Sequence, residues 1–335
     1  MSANTKVLRN QQIKRCETNP KLGEKGLIHR EEIISYVQRL LVPVNGDDCF
    51  ALQFSHGEGN ELKEHFWSPR SSSRLAFDVF SALAKCNKVQ TIEFEKVLKG
   101  VVGSPKSPDL DVYFETDTDV CYIESKYCEY VTNNKLKNGF LRINENDKDS
   151  LLLSPAYWDK NNKEKLIRHF HKNCDVAETF PNFVLSENKK AKSLDEENSI
   201  DWFFAKQECT HLFGILFDCL DKIAKAPVFS KNVHFYNIVF NVDGREKVSD
   251  FARDFFNEAK RSFARFFPNS YFEYEPVWYQ DIYSRIPENA TLFGEDATNL
   301  RMYLRDHFPG IDLNVESINS YFPKILQEVF STCDK

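Results

Sequence analysis

Asp111, Glu124 and Lys126 are the residues whose types and spacing point most directly to chemistry. Around Asp111, the apolar residues Leu110, Val112 and Phe114 alternate with Asp109, Asp111 and Tyr113, the pattern of a half-buried strand. Residues 120–127, Val-Cys-Tyr-Ile-Glu-Ser-Lys-Tyr, form a second β-rich run, and the polar stretch 115–119 between the two predicts a hairpin loop. Two-residue periodicity puts Glu124 and Lys126 on one face of the second strand and Ile123, Ser125 and Tyr127 on the other. Antiparallel pairing would then set Asp111 beside Glu124, with Lys126 a step further along. Two carboxylates and an ammonium converging at strand ends suit a divalent cation and a water to be activated. The competing reading is that Asp109 and Asp111 are solvated on an open sheet face, with Glu124 and Lys126 a surface pair that contributes little energy.

Pro108-Asp109, Asp111 within the same strand and Glu124-Ser125-Lys126 on the next resemble the PD-(D/E)XK nuclease superfamily, the restriction-endonuclease-like fold. The run from Ser71 to Phe80 resembles one bacterial subfamily of restriction-endonuclease-like proteins. The resemblance implies an α/β sandwich, a mixed central β-sheet flanked by helices, followed here by C-terminal helices. It implies a Mg²⁺-dependent endonuclease acting on DNA, of restriction or defence type, with Mn²⁺ able to substitute. Asp111, Glu124 and Lys126 would be catalytic. Asp111 and Glu124 would hold the metal, with Asp109 at the strand mouth as an alternative ligand. A third acid is expected from the preceding helix, where Asp78 is the only interior candidate, or from Glu93 and Glu95, which alternation puts on one face of the next strand. Glu129, three residues past Lys126, and Gln207 with His211, one helical turn apart, are further candidates. His211 is expected to stand behind a site carboxylate.

The surrounding pattern supplies elements to position these groups. A helix over 31–41 is ended by Pro43, and 49–54 alternates as a short strand. Ser71 caps a helix running to Lys85, ahead of a strand over 89–98. Residues 131–200 are polar and rich in Asn and Lys, an expected insertion over the cleft. Within it, His169, His171 and Cys174 lack a second ligand pair at zinc-site spacing. An apolar helix over 201–224 and a strand over 233–242 follow, the strand continuous enough to be covered on both faces. After them come an amphipathic helix over 247–267, a last strand over 271–278, and helices over 298–307 and 317–332. The expected division is an N-terminal extension over 1–67, a nuclease-like domain over 68–285 and a C-terminal helical segment over 286–335.

At 335 residues, 41% hydrophobic and 28% charged, the chain has the composition of a globular protein with a sizeable core. Its formal charge of −6, from 44 basic and 50 acidic residues, does not advertise a nucleic-acid binder, so any DNA contact must come from local basic faces. Nine cysteines, an odd count without a Cys-x-x-Cys pair, read as reduced thiols in a cytoplasmic protein. No apolar window suits a membrane span. Cutting both strands of a duplex would call for a homodimer. Two other classes share the same residues: a catalytically inactive nucleic-acid-binding or structural protein on this fold, and a nuclease for RNA or branched DNA.

Overall fold

The computed structural model describes residues 36–45, 48–56, 62, 66, 71–98, 108–126, 208, 211–212, 214–216, 218–219, 222, 230–240, 257, 260, 264, 267, 270–288, 290–291, 299–307 and 322–332. The expected insertion at 131–200 and most of the expected helix over 247–267, together with Tyr127, Glu129 and Gln207, lie outside them. Among the described residues there are seven strands: β1 (Pro43–Asn45), β2 (Asp48–Cys49), β3 (Thr91–Val97), β4 (Asp109–Glu115), β5 (Asp119–Lys126), β6 (Asn232–Val239) and β7 (Phe272–Trp278). Named helices among the described residues are α1 (Phe50–His56), α2 (Ser72–Phe80, continued by a 3-10 turn over Ser81–Lys85), α3 (helical residues within 208–222), α4 (Tyr279–Arg285), α5 (Leu300–His307) and α6 (Lys324–Phe330), and residues 36–40 are helical as well.

The first two strands make a small ribbon, and the other five form one sheet in the order β3-β4-β5-β6-β7. β3, β4 and β5 are an antiparallel meander, whereas β5, β6 and β7 run parallel. The architecture is therefore α/β with a mixed sheet. The hairpin closes where Thr116 N–H donates to Asp119 O at 2.9 Å. β5 lies at the centre of the sheet and is buried along its whole length, because β4 and β6 flank it and helices cover both faces.

One face of the sheet carries Val112, Phe114, Cys121, Ile123, Tyr236 and Ile238 into a single core with α1, α2, α4, α5 and α6. Phe77 of α2 stands at its centre, its ring centroid 5.3 Å from Phe50, 5.5 Å from Phe94 and 5.9 Å from both Phe54 and Phe66. These edge-on and tilted contacts account for part of the unusual phenylalanine content, and truncating one such ring costs about 3–5 kcal/mol. The core includes residues from all three of the segments into which the sequence was divided, Tyr36 and Phe50 at one end and Leu326 and Phe330 at the other. On the opposite face, Tyr113, Tyr122, Phe235 and Tyr274 lie beneath α3, whose Leu212, Ile215, Leu216 and Cys219 are buried. Tyr122 OH donates to Asp218 of that helix at 2.7 Å.

Among the described residues most expected elements form, with corrections. The stretch 49–54 is not a strand: Phe50–His56 is helical, because Phe50 and Phe54, four residues apart, both reach the Phe77 cluster. Its Gln53 substitutes for a strand partner by accepting Phe94 N–H at 2.9 Å. In β3, Glu95 has φ of 50°, a left-handed conformation that costs about 1–2 kcal/mol for a residue with a side chain. That residue breaks the alternation, so Lys96 rather than Glu95 joins Glu93 on one face, bonding it at 2.7 Å. The helix α4 was not foreseen, and the last helix starts at Lys324, after Pro323. Cys49, Cys86, Cys121 and Cys219 are buried thiols outside any disulfide. Among the described residues, no helix is long and apolar enough to cross a membrane.

Candidate active site

Strand geometry brings the hairpin acids together at the end of β5 distant from the turn. The pairing of β4 with β5 ends at Val112–Ile123, and Asp111 is the next residue outward. Freed from the ladder, the Ser125 N–H is taken by Asp111 Oδ2 at 2.6 Å, while Ser73 Oγ donates to Oδ1 at a longer 3.4 Å. Asp111 thus ties β4 to β5 and to the first turn of α2. That turn is itself fixed by its cap, since Ser71 Oγ accepts Arg74 N–H at 3.0 Å.

Ser125 points to the other face, as alternation requires. Its hydroxyl donates to Ser72 O at 3.0 Å and so accepts from Tyr279 OH at 2.6 Å. Burial pushes the Tyr279 phenol well above its ordinary range, and the negative charges of Asp111 and Glu124 push it further against the Ser125 bond. Tyr279 therefore remains a donor. The backbone that carries Glu124 and Lys126 is held from below by these contacts.

Glu124 and Lys126 are 6% and 8% exposed and form a direct ion pair through Glu124 Oε1. The solvated surface pair weighed from the sequence is thereby excluded. Glu124 Oε2 faces His211 Nε2 of α3 at 3.9 Å, and His211 Nδ1 faces Glu208 Oε1 at 3.8 Å. Burial opposes a charge on His211, but Glu124 and Glu208 outweigh it and raise the imidazole above its ordinary value. Glu208 is fully buried. Burial alone would raise its carboxyl, yet His211, Tyr274 and Asn237 together hold it below the ordinary range.

The other candidates separate. Asp78 is drawn to the opposite side of α2, where Arg39 donates to Oδ1 at 2.9 Å and Tyr36 OH to Oδ2 at 2.6 Å. It is a buried counter-ion for Arg39, not the third acid expected of that helix. Its partner lies far upstream in the chain, which local spacing could not reveal. Glu93 is engaged by Lys96. Asp109 opens β4 opposite Val97, away from the Ser125 anchor. Glu95 falls between the paired positions Phe94–Val112 and Lys96–Leu110, hence level with Asp111, and is 8% exposed. Glu208 was overlooked in favour of Gln207. The available signal was its three-residue spacing from His211, which places both on one helix face.

The donor set around Asp111 and Glu124 consists of carboxylate oxygens, which suit a hard cation such as Mg²⁺ rather than a thiol-seeking metal. Among the described residues, no group of three or more His, Cys, Asp and Glu side chains stands at metal-holding spacing. The candidate protein ligands are thus two carboxylates, in keeping with the way Mg²⁺ retains several waters. No protein-family model, no curated protein and no solved structure matches this chain.

Proposed function

We propose that the chain is a metal-dependent phosphodiesterase that hydrolyses DNA, an endonuclease of the restriction or defence type. The observation that carries this reading is the buried Glu124–Lys126 pair on β5, with Asp111 anchored beside it on the Ser125 N–H. The element order supports it as well: a capped helix, an antiparallel three-strand meander, a helix over one face and a parallel strand are what the sequence resemblance implies.

Asp111 and Glu124 would hold Mg²⁺, or Mn²⁺ in its place. When bound, such a cation polarises a phosphate and lowers the pKa of a coordinated water. Lys126 supplies a fixed ammonium beside Glu124, positioned to stabilise the charge that builds on a phosphate in the transition state. Asp111 keeps the two strands in register at the point where that charge develops. The Ser125–Tyr279–Ser72 contacts keep the strand end from shifting. Cutting both strands would recruit a second copy of the chain.

The test is incubation with supercoiled plasmid, linear duplex, single-stranded DNA and RNA, in Mg²⁺ and in Mn²⁺. Wild type is expected to cut DNA, and Lys126→Ala and Asp111→Ala to lose at least about 100-fold in rate while remaining folded. Full activity of Lys126→Ala would sink the assignment. A preference for RNA or branched DNA would keep the site and change the substrate. Silence on every substrate from a folded protein would favour a chain that binds nucleic acid without cutting it, with the row Glu208, His211, Glu124 and Lys126 serving only as balanced buried charge.

A further inference from the structure

Behind the candidate site, the row of charge continues into the protein interior. Glu208 Oε2 accepts Asn237 Nδ2 at 2.5 Å and Tyr274 OH at 2.7 Å, so β6 and β7 fix the plane of this fully buried carboxylate. Its other oxygen faces His211 Nδ1 at 3.8 Å, beyond hydrogen-bond length, and neither atom has a hydrogen-bond partner among the described residues. The far side of the imidazole faces Glu124 Oε2 at 3.9 Å. Phe235 stands edge-on to the ring, 6.1 Å between centroids, and limits its rotation. Asn237 is the register partner of Glu124 on the neighbouring strand, so the network closes on the strand position beside the one it supports.

We infer that His211, held from behind by Glu208, is a positioning residue for Glu124. This rests on the proposed cation site and adds to it a stated means of orientation. The two oxygens of the Glu124 carboxylate face different nitrogen groups, the Lys126 ammonium at Oε1 and the His211 imidazole at Oε2. A carboxylate held at both edges presents a fixed plane to an incoming cation, and groups behind a ligand commonly change metal affinity by about 10–100-fold. In the row Glu208, His211, Glu124, Lys126, each carboxylate stands beside a nitrogen group. Burying such a row is tolerable only when every member keeps its neighbour. At 3.8–3.9 Å the imidazole lies beyond hydrogen-bond length of either carboxylate, so it stands beside Glu124 without occupying the lone pairs that would face a cation.

The experiment uses the full chain and Mn²⁺ as the probe. Calorimetric titration of wild type, Asp111→Ala, His211→Gln and Glu208→Gln is paired with urea unfolding of Glu124→Gln, His211→Gln and the double variant. His211→Gln and Glu208→Gln are each expected to weaken Mn²⁺ binding about 10-fold. The double variant is expected to shift the urea midpoint by less than the sum of its singles. Unchanged or tighter Mn²⁺ binding in either folded variant overturns the inference, as does additivity in urea. If wild type binds no Mn²⁺ while the double variant remains non-additive, the cation-site reading fails and the positioning role with it, leaving a structural pair. If Asp111→Ala abolishes binding and the two α3 variants do not weaken it, only the positioning role falls.

Discussion

Two buried histidines stand toward opposite ends of the central strands, each between two carboxylates, and they are built to different tolerances. His234 donates from Nε2 to Asp119 at 2.7 Å and from Nδ1 to Glu273 at 2.8 Å. His211 stands 3.9 Å from Glu124 and 3.8 Å from Glu208. In both, a tyrosine hydroxyl supports one carboxylate, Tyr236 on Glu273 and Tyr274 on Glu208. The His234 cluster is saturated: Asp119 also accepts Thr118 Oγ1 at 2.5 Å and Asn232 Nδ2 at 3.0 Å. It pins the beginnings of β5, β6 and β7 together. Around His211 the contacts are longer, and one carboxylate is shared with Lys126. Hydrogen-bond length separates a tight clamp from a looser cluster, although the residue types are the same.

The comparison breaks most readily with alanine. His234→Ala would leave Asp119 and Glu273 buried without their common cation, at an expected cost of about 3–5 kcal/mol in urea unfolding. His211→Ala is expected to cost less than half as much. Equal losses would mean that the longer distances carry no looseness. A smaller effect sharpens the contrast from the other side. A Cβ added at Gly214, in the same helix as His211, would lie 2.6 Å from Leu98 Cδ1 and 3.0 Å from Pro108 Cγ. Leu98 can rotate and Pro108 cannot, so Gly214→Ala is expected to lift α3 from the sheet at a cost of about 1–3 kcal/mol. The same variant should weaken Mn²⁺ binding while leaving the His234 clamp intact, which proton NMR of the two imidazoles would report.

The least costly perturbation is pH. Burial opposes the charge of His234, but its bonds to Asp119 and Glu273 raise the imidazole above its ordinary value. Its stabilisation is therefore complete below the unfolded value of about 6.5 and is lost as pH rises through the folded one. Asp119 behaves in reverse. Burial opposes its charge, while His234, Thr118 and Asn232 hold it well below the carboxylate range. Its contribution is present above about pH 4 and is lost as pH falls towards its folded value. The clamp is expected to contribute most between those limits. A urea midpoint that declines above about pH 6.5, with a shallower decline in His234→Gln, would bear this out. Any decline left in that variant would be assigned to His211, which is also raised.

Local pattern made the hairpin legible. Alternation in 109–115 and 120–126 foretold which side chains share a face, and the polar loop between them foretold the turn. The Ser71 cap and the helical spacing of His211 were equally local, so the end of the strand carrying Glu124 and the helix facing it could be read in advance. The rule failed where another part of the chain supplied the deciding contact. Phe50–His56 became a helix because the Phe77 cluster rewards a four-residue spacing. Asp78 turned from the site because Arg39 and Tyr36 approach from a segment about forty residues upstream. Glu95 adopted a left-handed backbone that no alternation announces.

What the sequence determined by itself was periodic: strand, helix, turn, and the placing of Glu124 two residues from Lys126. Tertiary structure alone decided partnership. Glu208 entered the row only when α3 met β6 and β7, and Asp78 left it only when the N-terminal residues packed on α2. The physical reason is burial. Once water is removed, a carboxylate must take whichever donor or cation the packed chain brings within reach, and that choice depends on residues far apart in sequence.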